Sequence, residues 1–145
     1  MDVRPVTTED EVEIVRQIRN AGRQWMTRHT DEISPAQQRA WWAGLDHAGT
    51  KLYLFSIAVT PIGYGMLRLL DGRVWCSLAV WPHERGQGHG TAIYRYLAHC
   101  QLGWDVWAEI YADNTPSLRA ALRAGYTLAY AQDKVATLVH RKGER

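Results

Sequence analysis

Three strand-like runs, Leu52–Val59, Ile62–Leu70 and Val74–Val80, follow one another with almost no chain between them. The first gap is Thr60-Pro61, and the second contains Asp71-Gly72, a dipeptide that favours a two-residue hairpin turn. Strands joined this closely pair antiparallel, because a parallel connection needs a crossover of about a dozen residues or more. Around this meander the pattern is mixed. Val3–Val6 reads as a short strand, and Thr8–Ala21 as a helix with acidic residues in its first turn and Val12, Val15 and Ile18 in register. Ser34 and Gln37 match a capping box with Pro35 at the first helical position, which predicts a second helix to about His47 carrying Trp41, Trp42 and Leu45 on its apolar side. Beyond the meander, a helix is expected over Thr91–Cys100 with Ile93, Tyr96, Leu97 and Cys100 on one face. A strand over Asp105–Tyr111, a helix over Pro116–Ala124 and a hairpin of Tyr126–Gln132 with Val135–His140 complete the chain. The order implies an α+β fold: a mixed, mostly antiparallel sheet of about seven strands flanked by about four helices.

Composition narrows the classes. At 145 residues, without repeats or linker-like tracts, residues 1–145 are expected to form a single domain. Seventeen Lys and Arg against fifteen Asp and Glu provide no concentrated basic face, so no nucleic-acid partner is expected. No apolar run approaches the roughly 18 residues of a membrane span, and Met1–Asp10 is too charged for a signal-peptide core, so a cytoplasmic protein without a membrane partner is expected. Cys76 and Cys100 read as small buried hydrophobes, and the six His show no ligand spacing, so no metal is expected. Seven Trp beside a single Phe point to unusual packing or to a stacking surface for a flat ligand.

The segment richest in chemistry is Val80-Trp81-Pro82-His83-Glu84-Arg85-Gly86-Gln87-Gly88-His89-Gly90-Thr91. It leaves a strand, supplies three alternating glycines and opens onto a helix. Glycines let the backbone turn successive N–H groups into one concave donor set, and the helix N-terminus adds partial positive charge, a combination that suits a phosphate or pyrophosphate. It is not a Walker A loop, which ends Gly-Lys-Ser/Thr, nor a dinucleotide fingerprint, which needs a βαβ setting.

Arg85-x-x-Gly88-x-Gly90 after Val80-x-Pro82 resembles the acyl-CoA pyrophosphate loop of the GNAT superfamily of N-acyltransferases. A second block, Asn114-Thr115-Pro116-Ser117 followed by Ala124-Gly125-Tyr126, is similar to the family segment that lines the pantetheine and acetyl end of the cosubstrate. The resemblance implies a GNAT fold and acetyl-CoA as cosubstrate. Its cofactor-binding residues would be Arg85, Gly86, Gln87, Gly88, His89, Gly90 and Thr91, with Asn114 and Ser117. It also implies that the fourth strand splays from the fifth, so that Leu78, Ala79 and Val80 offer free backbone groups to the pantetheine arm and one N–H to the thioester carbonyl.

Acyl transfer to an amine needs a neutral nitrogen, and Glu109 is the carboxylate that the sequence places best to remove the proton; a solvated strand charge is the competing reading. His83 and Glu84 are runners-up, and His89 is expected to act through its backbone. Many members carry a Tyr seven positions after the Asn as the acid for the leaving thiolate. This chain has Ala121 there, so Ser117 is the hydroxyl left for that role, with helix capping or cosubstrate contact as its alternatives. In this family the first two helices cover the acceptor side of the cleft, and here they carry Arg19, Asn20, Trp25 and Trp41 as candidate acceptor contacts. Their spacing resembles the branches that acetylate nucleotide-linked amino sugars and, more loosely, ribosomal proteins. The expected partner is therefore a small-molecule or nucleotide-linked amine, with a homodimer as one option for assembly. Acetylation of a protein N-terminus, or a catalytically idle acyl-CoA-binding module, are the alternatives.

Overall fold

A computed structural model describes residues 1–100 and 103–144. Seven strands form one sheet: β1 (Asp2–Pro5), β2 (Thr50–Ile57), β3 (Thr60–Leu70), β4 (Arg73–Val80), β5 (Val106–Tyr111), β6 (Thr127–Gln132) and β7 (Val135–His140). Their spatial order is β1-β2-β3-β4-β5-β7-β6, and among the described residues only the β4–β5 pair is parallel. Four helices cover the sheet: α1 (Glu9–Ala21), α2 (Pro35–Ala43), α3 (His89–Cys100) and α4 (Thr115–Arg123). The expected α+β architecture is what the chain adopts. No described helix is long and apolar enough to cross a membrane.

Both turns of the meander are two residues long with positive φ, a twist that matches the flanking strands. Asp71 and Gly72 make the second, at φ 53° and 75°. The first is Ala58-Val59, at φ 48° and 63°, rather than the expected Thr60-Pro61, which belong to β3. The register shifts between Phe55, opposite Gly63, and Ser56, opposite Pro61, so Ile62 is the extra residue of a bulge beside the proline, a place where a strand tolerates one. α2 also stops earlier than predicted. Gly44 caps it, and the Asp46 carboxylate accepts the Ala48 N–H at 3.0 Å, an Asx turn that competes with further helix. The capping box at Ser34 and Gln37 is present.

Two cores lie on opposite faces of the sheet. α1 buries Val12, Val15 and Ile18 against Leu52, Leu54 and Tyr64. On the other face α3 buries Ile93, Tyr94, Leu97 and Ala98 against Phe55, Leu67 and Val106. Tyr96, expected on that apolar face, instead lies near the rim with its ring edge-on to Tyr53 and Phe55. α3 sits so close to β3 that a Cβ on Gly65 would stand 3.0 Å from Leu97 and 3.1 Å from Ile93.

The entry to α1 carries a charge cluster that the sequence reading missed, although Thr8-x-x-Glu11 is itself a capping-box spacing. Glu11 is only 4% exposed. Its carboxylate accepts the Arg4 guanidinium, the Thr7 N–H at 3.0 Å, and the N–H and hydroxyl of Thr8, each at 3.1 Å. Burial works against ionisation, but these donors outweigh it and bring the carboxyl down to about 2 from an ordinary 4.5. The ionised form is therefore the one that the fold favours. Its stabilisation, about 3 kcal/mol from a shift of this size, is complete above the unfolded carboxyl value and is lost as pH falls from there through about 2. Glu11→Gln is expected to be less stable than the parent in urea at pH 7 and to converge with it near pH 2. A stability gap that stays constant across that range would show that Glu11 contributes through shape alone.

Candidate active site

β4 ends at Val80 and the chain passes through Trp81 and a short 3₁₀ turn, Pro82–Glu84, into the glycine-rich loop. Gly86 and Gly88 have φ of 80° and 84°, and a Cβ at either would meet nothing within 4 Å. The loop is thus an open cradle whose backbone conformation excludes side chains. α3 starts at His89, so its unpaired first N–H groups face the same space. His89 Nε2 lies 3.5 Å from Glu84 Oε2, and His83 stacks on Trp81 at 5.8 Å. Gly90 lets α3 approach α4, since its Cβ would be 3.4 Å from that of Ala120.

The pairing of β4 with β5 lasts only three residues, Val74–Cys76 with Val106–Ala108. Beyond it Ser77–Val80 and Glu109–Tyr111 diverge, and a cavity of about 380 Å³ opens between the strands and the loop. Leu78, Ala79 and Val80 line it, as do Arg85, Gly86, Gly88, His89, Gly90 and Thr91; Gln87 is exposed and does not. Asn114 and Ser117 line it from the start of α4. Neither spends its side chain on capping: Asn114 occupies the cap position without a side-chain bond, and Ser117 Oγ lies 2.7 Å from the Tyr94 hydroxyl. Burial pushes the Tyr94 phenol well above its usual value, so the pair stays protonated. Tyr94, Arg119 and Arg123 also line this cavity, and none was singled out from the sequence. Tyr94 reads as core, whereas Arg119 and Arg123 have the four-residue spacing that puts two cations on one helix face.

A second cavity, of about 470 Å³, lies on the other side of the strands under α1, α2 and the segment between them. The two cavities share Met26, Thr27, Cys76, Ser77 and Glu109 as walls, so they meet where β4 and β5 part. Glu109 stands at that junction, while Ala108 and Ile110 point into the core. Its Oε1 accepts the Arg28 Nε at 2.8 Å and lies 3.5 Å from the Thr27 hydroxyl; among the described residues Oε2 accepts no hydrogen bond. Glu109 is therefore neither unpaired nor simply solvated. Cys76 also borders the junction, but burial pushes its thiol up to about 12, so it is not a thiolate nucleophile at neutral pH.

The four candidate acceptor residues separate. Trp41 lines the larger cavity, while Trp42 turns aside to meet His47 edge-on. Arg19 lines the cavity too, but its guanidinium donates to the backbone carbonyls of His29 and Asp31 and to Asn20 Oδ1, so its hydrogen bonds hold the loop wall together. Asn20 lines neither cavity; both ends of its amide are tied to the Ile33 backbone, at 2.8 and 3.0 Å. Trp25 lies on the glycine-loop side instead. Arg19 and Trp41 thus border the larger cavity and Asn20 and Trp25 do not, because residues 23–33 fold back as a wall between the cavities.

Residues 1–127 match the family model described as the acetyltransferase (GNAT) domain. No curated protein matches the chain. Among solved structures, a GNAT superfamily phosphinothricin acetyltransferase from Sinorhizobium meliloti in complex with acetyl-CoA superposes with a TM-score of 0.78 at 17% identity, covering 95% of this chain and 86% of that one. The ribosomal-protein-alanine N-acetyltransferase of Brucella melitensis gives 0.76 at 16% identity, covering 96% and 98%. The spermidine N-acetyltransferase of Vibrio cholerae, as an F149A mutant, gives 0.76 at 11% identity, covering 99% and 96%. At such identities the likeness is one of fold.

Proposed function

Because the chain belongs to the GNAT acetyltransferase family, we propose that it moves an acetyl group from acetyl-CoA to the primary amine of a small or nucleotide-linked acceptor, by direct attack on the thioester. The observation that carries this reading is the meeting of two cavities at Glu109, one rimmed by the glycine loop and one walled by α1 and α2.

The site residues fit acetyl-CoA in chemistry. Open positive-φ glycines, helix N–H groups and the cations Arg85, Arg119 and Arg123 suit its phosphates. The uncommitted Asn114 amide and the free edge of Leu78–Val80 suit a pantetheine arm that carries amides. When bound, acetyl-CoA supplies the activated acetyl thioester. The chain's own groups supply the rest. A backbone N–H of Leu78–Val80 polarises the carbonyl oxygen, a contribution of about 3 kcal/mol in comparable sites. Glu109, through the oxygen left open by Arg28, takes the proton from the attacking nitrogen. Ser117, held by Tyr94, is the hydroxyl assigned to the departing sulfur. That sulfur has a pKa of about 8.5 and leaves tolerably well unassisted, so Ser117 is expected to matter less than Glu109. Residues 1–145 would act as one N-acetyltransferase domain.

Free-thiol release from acetyl-CoA in the presence of a panel of small amines tests the reading. Turnover that depends on the amine and yields the N-acetyl product supports it. Acetyl-CoA binding without turnover of any small amine, sugar amine or peptide N-terminus would leave a binding module instead. Turnover confined to peptide N-termini would move the acceptor to protein.

A further inference from the structure

We propose that the larger cavity selects an acceptor amine that also carries an anionic group, a carboxylate or a phosphate, and that Arg68 is the residue that meets that anion. The proposal rests on the acetyl-transfer reading and names its acceptor class.

Tyr64, Met66 and Arg68 alternate on the face of β3 that looks toward α1 and α2, and all three line the cavity. The Arg68 Nε is buried, and it has no hydrogen-bond partner among the described residues; no described carboxylate pairs with its guanidinium. The other two arginines that line the cavity are spent: Arg19 on loop carbonyls and Arg28 on Glu109. Among the described residues, three arginines thus line the cavity beside one carboxylate, and that carboxylate is paired with one of them. A simple alkylamine enters as a cation and meets a wall of like charge. An amine that brings its own anion removes that repulsion and gives a partner to a buried donor whose hydrogen bond is otherwise unmade. The planar guanidinium fork matches a carboxylate or phosphate bidentately, which a neutral hydroxyl or amide cannot repeat.

The strand register fixes the distance that such a molecule must span. Arg68 is paired with Trp75 on β4, and Trp75 with Trp107 on β5. Glu109 lies two residues beyond Trp107. Two strands across and two residues along place the Cα atoms of Arg68 and Glu109 about 12 Å apart, and both side chains reach into the space between. A compact skeleton with an amine at the Glu109 end and an anion at the Arg68 end fits that interval. A polycation does not.

The test compares matched amines in thiol release: an α-amino acid with its carboxamide, an aminoalkyl phosphate with the corresponding amino alcohol, and spermidine. In the parent protein the anionic member of at least one pair is expected to exceed its neutral counterpart about 30- to 100-fold in kcat/KM, the range lost when a charged hydrogen-bonding partner is removed. Which pair responds tells carboxylate from phosphate. Arg68→Gln is expected to abolish the preference by lowering the anionic member alone, with acetyl-CoA affinity unchanged, and Arg68→Lys to restore part of it. Calorimetric binding of the same pairs to protein saturated with CoA reads the anion site without turnover. Should the anionic member bind there while no thiol is ever released, the transfer reading fails and the anion site stands. Equal or better use of neutral amines or spermidine by the parent protein, or no binding of either anion to the CoA complex, overturns the proposal. These comparisons need no variant, so they hold even if Arg68→Gln does not fold.

Discussion

Gly88→Val is expected to reduce acetyl-CoA affinity by more than about 100-fold, measured by calorimetry on folded protein. Two effects combine. Gly88 sits at φ 84°, where a β-branched residue is strained. Its side chain would also project into the open cradle proposed for the phosphates. Gly72→Val separates the two effects. Gly72 has a similar φ of 75° and equally open surroundings, but it lies in the β3–β4 turn, remote from the loop. It is expected to lose stability with acetyl-CoA affinity intact. Unchanged affinity in a folded Gly88→Val protein would remove the loop from the binding site.

Glu109→Gln is expected to cut turnover about 100-fold or more at neutral pH, the usual worth of a positioned general base. The deficit should shrink as pH rises toward the amine pKa of about 10, because a nitrogen that is already neutral needs no base. The ion pair with Arg28 supplies a competing role, since Glu109 also ties the segment around Thr27 and Arg28 to the sheet. Arg28→Gln distinguishes the two roles. If Glu109 acts only as an anchor, both variants raise the acceptor KM alike and neither pH profile moves. If it acts as a base, only Glu109→Gln changes the profile. Full turnover by Glu109→Gln across the pH range would end its candidacy.

Much of this architecture is written in local signals. Asp71-Gly72 specifies a primed turn because its backbone can sit at positive φ at both positions, and that turn makes β3 and β4 antiparallel neighbours. Alternation alone puts Glu109 opposite in facing to Ala108 and Ile110. Ser34 and Gln37 specify where α2 starts, but Gly44 and the Asx turn at Asp46 decide where it stops, and a periodicity argument passes over both. The first hairpin misled for a similar reason. Pro61 looks like a turn residue, yet a bulge lets it stay in the strand while Ala58-Val59 make the turn.

The sequence by itself determined the local elements, the glycine loop at the head of a helix and the facing of Glu109, because turn chemistry, capping and side-chain period act over a few residues. Tertiary structure alone decided what those elements enclose. The parting of β4 and β5 after Cys76 and Ala108 depends on pairing between segments some thirty residues apart. The Arg28–Glu109 pair joins positions 81 residues apart, and the Tyr94–Ser117 pair positions 23 apart. Which arginine is spent and which is left over follows from the same long-range closure. Arg19 was the candidate acceptor contact, but the returning segment of residues 23–33 brings carbonyls within its reach, and it is the Arg68 Nε, across the cavity, that has no hydrogen-bond partner among the described residues. A hydrogen bond is governed by distance in space, and only the folded chain sets that distance.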